Sequence, residues 1–249
     1  MVLLGASNLT RGISTVAETA ARAWGRPLDV LAALGHGRSY GMASTVLGRT
    51  LPGILQCGLW AALAARPVTP TAALVTDIGN DLFYAAQVDQ VAEWIERCLD
   101  RLVALDARTI VTRLPVCNLP RVRPWQYAIV RRALFPSCRL ALTEIAERAL
   151  ALDERVSQLA RERGCSLIEP RAEWYGFDPI HVKLRHWPHA WRDLLRNWSD
   201  AEIAPARASL ARWLTLRCCA PERVVRFGIE RAHAQPSGRL DDGTTISLY

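Results

Sequence analysis

Short apolar runs alternate along the chain with longer segments in which apolar residues recur every three or four positions. Val2-Leu3-Leu4 reads as a short buried strand, Gly5 and Ala6 as a tight exit, and Ser7 as a turn residue. Thr10 is the expected cap of the following helix, where Ile13, Val16, Ala17, Ala20, Ala21 and Trp24 share one face. A second strand is predicted over residues 28–34, running into the glycine-rich loop Gly35-His36-Gly37-Arg38-Ser39-Tyr40-Gly41. Residues 51–65 suit one buried helix, with Pro52 in its first turn. A third strand, 71–76, is followed at once by Asp77-Ile78-Gly79-Asn80-Asp81. Val88, Val91, Trp94, Ile95, Cys98, Leu99 and Leu102 then form the apolar face of an amphipathic helix.

A fourth strand over 108–112 leads into a proline-dotted stretch, 114–138, read as irregular and able to overhang a crevice. A helix over 140–163 closes at Gly164. A fifth strand, 165–168, precedes Asp178-Pro179-Ile180-His181 and a helix over about 189–198. This alternation predicts one five-stranded parallel sheet with helices on both faces. One more helix is expected over 204–216. Beyond residue 218 periodicity is lost, and a loose or β-like tail is expected from Gln235 onward. Residues 1–200 thus read as one α/β domain, and 201–249 as a helix and tail packed on it.

Composition narrows the function. Half of the residues are hydrophobic, and no apolar run reaches the length of a membrane span. No signal peptide is evident, so a cytoplasmic location is expected. The seven cysteines form no C-x-x-C pair and no zinc-like spacing with histidine, and are read as buried thiols. The net charge of +7 is almost wholly arginine, Lys183 being the only lysine. Without a block of like charges or a nucleic-acid motif, it indicates solvated faces rather than nucleic-acid binding. It also offers a weak attraction for anionic substrates.

Open parallel sheets bind ligands at the carboxyl ends of their strands. Those ends carry Ser7, His36, Tyr40, Asp77, Asn80, Asp81, Asp178 and His181. Three readings of the first junction compete: a plain polar turn, a dinucleotide loop, and a serine nucleophile. The dinucleotide reading fails because a short-chain dehydrogenase needs a tyrosine four residues before a lysine, and Pro179 holds that place before Lys183. A P-loop needs Gly-Lys-Ser/Thr, which is absent. An α/β-hydrolase elbow needs Gly-x-Ser-x-Gly in mid-chain, whereas Leu9 fills the second glycine position here. A nucleophilic serine needs a base, a carboxylate and oxyanion donors, and all of these occur at strand ends.

In these blocks, over roughly residues 2–195, the chain resembles the SGNH (GDSL-like) hydrolases. Gly5-Ala6-Ser7 with Gly12 is similar to their first block, the 35–41 loop to the second, Gly79-Asn80-Asp81 to the third, and Asp178-Pro179-Ile180-His181 to the last. Ala6 stands where the family has aspartate, and Ile78 where it has glycine. The resemblance implies a flavodoxin-like three-layer α/β/α sandwich and a cofactor-free serine hydrolase cleaving a carboxylic ester. In that reading Ser7 is the nucleophile, His181 the base and Asp178 its partner. Asn80 and a glycine N–H, from Gly37 or, slightly favoured, Gly41, complete the oxyanion hole. His36 and Tyr40 either line the substrate pocket or pack, and Asp77 and Asp81 hold loop N–H groups. Expected substrates are small lipid-like or acylated-sugar esters with short acyl groups. A homo-oligomer is compatible with the sequence. The alternative is a catalytically silent binding module, suggested by Ala6 and Ile78.

Overall fold

The structure is a computed structural model that describes every residue except Asp200 and Ala208. Five parallel strands form its centre: β1 (Val2–Leu4), β2 (Asp29–Ala33), β5 (Ala72–Val75), β6 (Arg108–Thr112) and β7 (Ser166–Ile168). They lie in the order β2-β1-β5-β6-β7. The order reverses at β1, so the crevice of a doubly wound sheet opens at the carboxyl ends of β1 and β5.

Both faces of these strands are covered, which is why they read as continuous apolar runs rather than alternating ones. Val2 and Leu4 pack, with Val75 and Val111, under α4 (Val88–Val103) and α6 (Leu142–Glu162). Leu3, Leu74 and Ile110 face the other way, toward α1 (Ser7–Trp24) and α7 (Trp187–Leu195). Gly12 sits where α7 crosses α1. A Cβ there would lie 2.4 Å from Trp191 Nε1, and Trp191 is buried. Gly12→Ala is therefore expected to cost about 1–3 kcal/mol through overpacking, despite alanine's better helix propensity. Urea denaturation checks this. Unchanged or higher stability would mean that the indole yields freely.

The sheet has seven strands, not the expected five. The segment read as a loose tail supplies β11 (Thr245–Leu248), parallel to β2, and β10 (Gly238–Arg239), antiparallel to β11. Ile246 and Leu248 alternate into the α1/α7 face of the core. A second, antiparallel sheet of four strands has the order β3-β4-β8-β9. It joins β3 (Ser44–Val46) and β4 (Arg49–Leu51) to β8 (Arg223–Arg226) and β9 (Ile229–Ala232). None of these four strands was predicted.

The helix expected over 51–65 is also corrected. Leu51 ends β4, a 3₁₀ turn covers Ile54–Gln56, and only Leu59–Ala64 is α-helical (α2). The N–H groups of Ile54 and Leu55 bond instead to the carbonyls of Ser39 and Tyr40, which ties this segment to the glycine-rich loop. The stretch read as irregular holds a 3₁₀ turn (Val116–Arg121) and α5 (Pro124–Leu134). Pro124 starts that helix instead of breaking it. The remaining helices are α3 (Asn80–Phe83) and α8 (Leu210–Cys218). The helix expected over 204–216 includes Ala208, outside the described residues; the observed one starts later, capped by Ser209. Among the described residues, no helix is long and apolar enough to cross a membrane.

Candidate active site

Helix α1 begins at Ser7 itself, one turn before the expected cap. Thr10 lies inside the first turn, where its hydroxyl donates to the Ala6 carbonyl at 2.6 Å. The capping group comes from another strand. Asp77, at the end of β5, accepts the N–H groups of Ala6 at 2.9 Å and Leu9 at 3.1 Å through Oδ2. Its φ of 59° is a left-handed conformation that aspartate tolerates better than most residues. A carboxylate here satisfies first-turn amides and suits the positive end of the helix dipole. It also fixes Ser7 at the first helical position, where its own N–H has no intrahelical acceptor.

The partners of Ser7 come from the loop after β7. His181 Nε2 lies 2.7 Å from Ser7 Oγ, and His181 Nδ1 lies 2.5 Å from Asp178 Oδ2. Asp178 Oδ1 accepts the N–H groups of Ile180 at 3.1 Å and His181 at 3.2 Å, which folds the loop onto its own carboxylate. Burial alone would raise the Asp178 pKa. The hydrogen bond and charge of His181, with the two N–H groups, outweigh it and hold the carboxyl below its ordinary value.

Side-chain amides lock this loop in place. Asn8 donates to Asp77 Oδ1 at 2.8 Å and to the Ile180 carbonyl at 2.9 Å, while its Oδ1 accepts the Val182 N–H at 2.8 Å. Asn118 donates to the Pro179 carbonyl at 3.0 Å, and Gln126 to that of Phe177. Sequence reasoning missed all three. Asn8 carries one visible signal, its place beside the serine; the other two carry none.

Ser7 lines two cavities. One, of about 130 Å³, is walled mainly by apolar side chains, with Asn80 and Ser7 both in its lining. Leu114, Leu119, Val122 and Tyr127 from the proline-dotted stretch are part of it. The other, of about 570 Å³, holds His181, Asp178, His36 and Gly37, and is rimmed by the β3–β4 and β8–β9 hairpins. Asn80 is buried, and among the described residues its Nδ2 has no hydrogen-bond partner. Among the described residues, no group of three or more His, Cys, Asp or Glu converges as metal ligands.

No family model matches the sequence, and no curated protein does. Solved structures do. The inhibitor-bound form of an aryl esterase from M. smegmatis aligns over 78% of this chain and 93% of its own, at 15% identity and a TM-score of 0.51. The fold is shared with that esterase. A GDSL-like lipase from Bacteroides thetaiotaomicron aligns over 79% of this chain and 86% of its own, at 11% identity and a TM-score of 0.49.

Within this fold, the glycine-rich loop separates residues that the sequence grouped together. Tyr40, a candidate for the substrate pocket, is fully buried and does not reach it. Its hydroxyl donates to the Thr76 carbonyl at 2.6 Å, bridging the loop to the end of β5. Arg38, in the same loop, is also fully buried and donates to the carbonyls of Leu34, Pro52 and Tyr249. The Gly41 N–H is already engaged, donating to Ser39 Oγ at 3.1 Å. Gly37, with φ of 60°, instead lines the larger cavity, as Ser7 does. A Cβ there would come within 2.6 Å of the Tyr84 hydroxyl.

His36 lines the larger cavity. Partial burial of its imidazole and the nearby charges of His181 and Arg49 lower its pKa. Asp81 takes the structural role expected of it, accepting the Ser39 hydroxyl and the Tyr40 N–H. Burial pushes its carboxyl up to about 6.

Proposed function

We propose that the protein is a serine esterase acting on a carboxylic ester through an acyl-enzyme. The observation that carries this reading is the continuous line of hydrogen bonds from Asp178 through His181 to Ser7 Oγ, beside two cavities that meet at the serine. Ser7 Oγ attacks the acyl carbonyl as its proton moves to His181 Nε2, and Asp178 holds the imidazole and its developing charge. The carbon–oxygen bond to the alcohol then breaks, and His181 returns the proton to the leaving oxygen. Water repeats the sequence on the acyl-enzyme and frees Ser7.

The oxyanion is assigned to the Ser7 N–H at the start of α1, the Asn80 side chain and the Gly37 N–H. Gly37 replaces Gly41 as the loop donor, because the Gly41 amide is already engaged. The unpartnered Nδ2 of Asn80 supports its role. A buried donor without an acceptor costs about 1–3 kcal/mol, which an oxyanion would offset in the transition state. The small apolar cavity beside Asn80 suits a short acyl chain.

Asn80→Ala is expected to lower kcat on a short-chain aryl ester by about 10²–10³ while leaving KM nearly unchanged. Steady-state kinetics on p-nitrophenyl butyrate test this. An unaltered kcat would remove Asn80 from the oxyanion hole.

A further inference from the structure

The larger cavity carries a concentration of positive charge that the esterase reading does not use. Arg11, Arg49 and Arg226 all line it. Several arginines elsewhere have carboxylate partners: Arg26 and Arg212 share Asp242, Arg113 pairs with Asp153, and Arg163 with Glu96. Among the described residues, none of the three cavity arginines has such a partner. Asp178 is the one described carboxylate in the lining, and His181 engages it.

Arg49 and Arg226 are also direct cross-strand partners in the β4–β8 pair. Like charges placed opposite each other in an antiparallel pair destabilise it unless something neutralises them. Arg49 is half-buried, and its Nε is buried without a hydrogen-bond partner among the described residues. Burial and the charge of Arg226 both lower its pKa, as expected for a cation denied its solvent. The neighbouring wall is apolar, formed by Val46, Leu134 and Phe135, so an anion entering here would be screened less than at an open surface.

The position of His181 decides which half of an ester would lie here. The leaving oxygen must reach His181 Nε2 to take up its proton, and His181 lines this cavity and not the apolar one. The acyl group would then occupy the apolar side, with Asn80.

We propose that the substrate is an ester whose alcohol portion carries an anionic oxygen group, carboxylate or phosphate, held by Arg49 and Arg226. This deepens the esterase reading and rests on it. Arg11, one helical turn beyond Ser7, adds to the field at the cavity mouth.

The test compares kcat/KM for 4-butyryloxybenzoate, anionic on the alcohol side, with that for neutral phenyl butyrate. Fluorophosphonate labelling of Ser7 is run in parallel. The wild type is expected to prefer the anionic ester by about 10- to 100-fold, the range for hydrogen bonds to a charged group. In Arg49→Gln and Arg226→Gln the ratio should fall toward one, Arg226→Lys should restore part of it, and added salt should shrink it. A labelled enzyme with a wild-type ratio of one or below overturns the anionic substrate and leaves the esterase standing. A folded wild type that neither labels at Ser7 nor turns over either ester overturns the esterase reading and this inference together.

Discussion

Ser7→Ala is expected to lower ester turnover by about 10⁶-fold, because members of a serine triad act as a unit and loss of the nucleophile costs nearly all of their joint effect. Residual activity would come from binding and the oxyanion donors alone. Stability should hardly change. Among the described residues the Ser7 hydroxyl bonds only to His181, while the α1 start is held by Asp77 through the N–H groups of Ala6 and Leu9. Burst and steady-state kinetics, with thermal melting alongside, check the expectation. A variant that melts like the wild type and retains turnover would place the nucleophile elsewhere.

The second large effect is expected for Asp178→Asn, a loss of about 10⁴-fold in kcat. Asp178 Oδ2 faces Nδ1 of His181 at 2.5 Å, which keeps the proton on that nitrogen and leaves Nε2 free to accept from Ser7. An asparagine that presents its amide N–H to Nδ1 would reverse the tautomer, and Nε2 would then carry a proton where a base is needed. The loop should survive, because the asparagine oxygen can still accept the Ile180 and His181 N–H groups. The pH dependence adds a signature. The folded Asp178 pKa is lowered, so its contribution to stability is present above the ordinary carboxylate value of about 3.9 and is lost as pH falls through the folded value. The stability gap between wild type and Asp178→Asn should therefore narrow in acid. Chemical denaturation at a series of pH values reads it, and a gap that widens below about pH 4 would contradict the assignment.

The central strands were legible because each is a short apolar run buried on both faces, with a helix of clear period beside it. Strand-end chemistry was legible for the same reason: once the strands are placed, Ser7, Asn80, Asp178 and His181 fall at one edge. What escaped was set by distant pairing. Thr245-Ile246-Ser247-Leu248 offers only two apolar positions, and its place beside β2 depends on a partner more than 200 residues earlier. The Arg49–Arg226 pairing in the second sheet also joins segments far apart in sequence.

Within the glycine-rich loop, residue type alone did not decide between pocket and packing. Tyr40 and Arg38 each carry a polar group near a strand end, where either outcome is compatible with the sequence. In the fold those groups satisfy backbone carbonyls in the interior instead. Gly37 and Gly41 are interchangeable as letters. Only the left-handed backbone of one and the occupied amide of the other separate them.

The central claim, an activated serine at position 7, is tested most directly by fluorophosphonate labelling of the wild type beside Ser7→Ala and His181→Ala, with the modified peptide located by mass spectrometry. Stoichiometric labelling of the wild type at Ser7, lost in both variants, is the expected result. A folded wild type that takes up no label would contradict the account and favour a catalytically silent binding module built on an esterase fold.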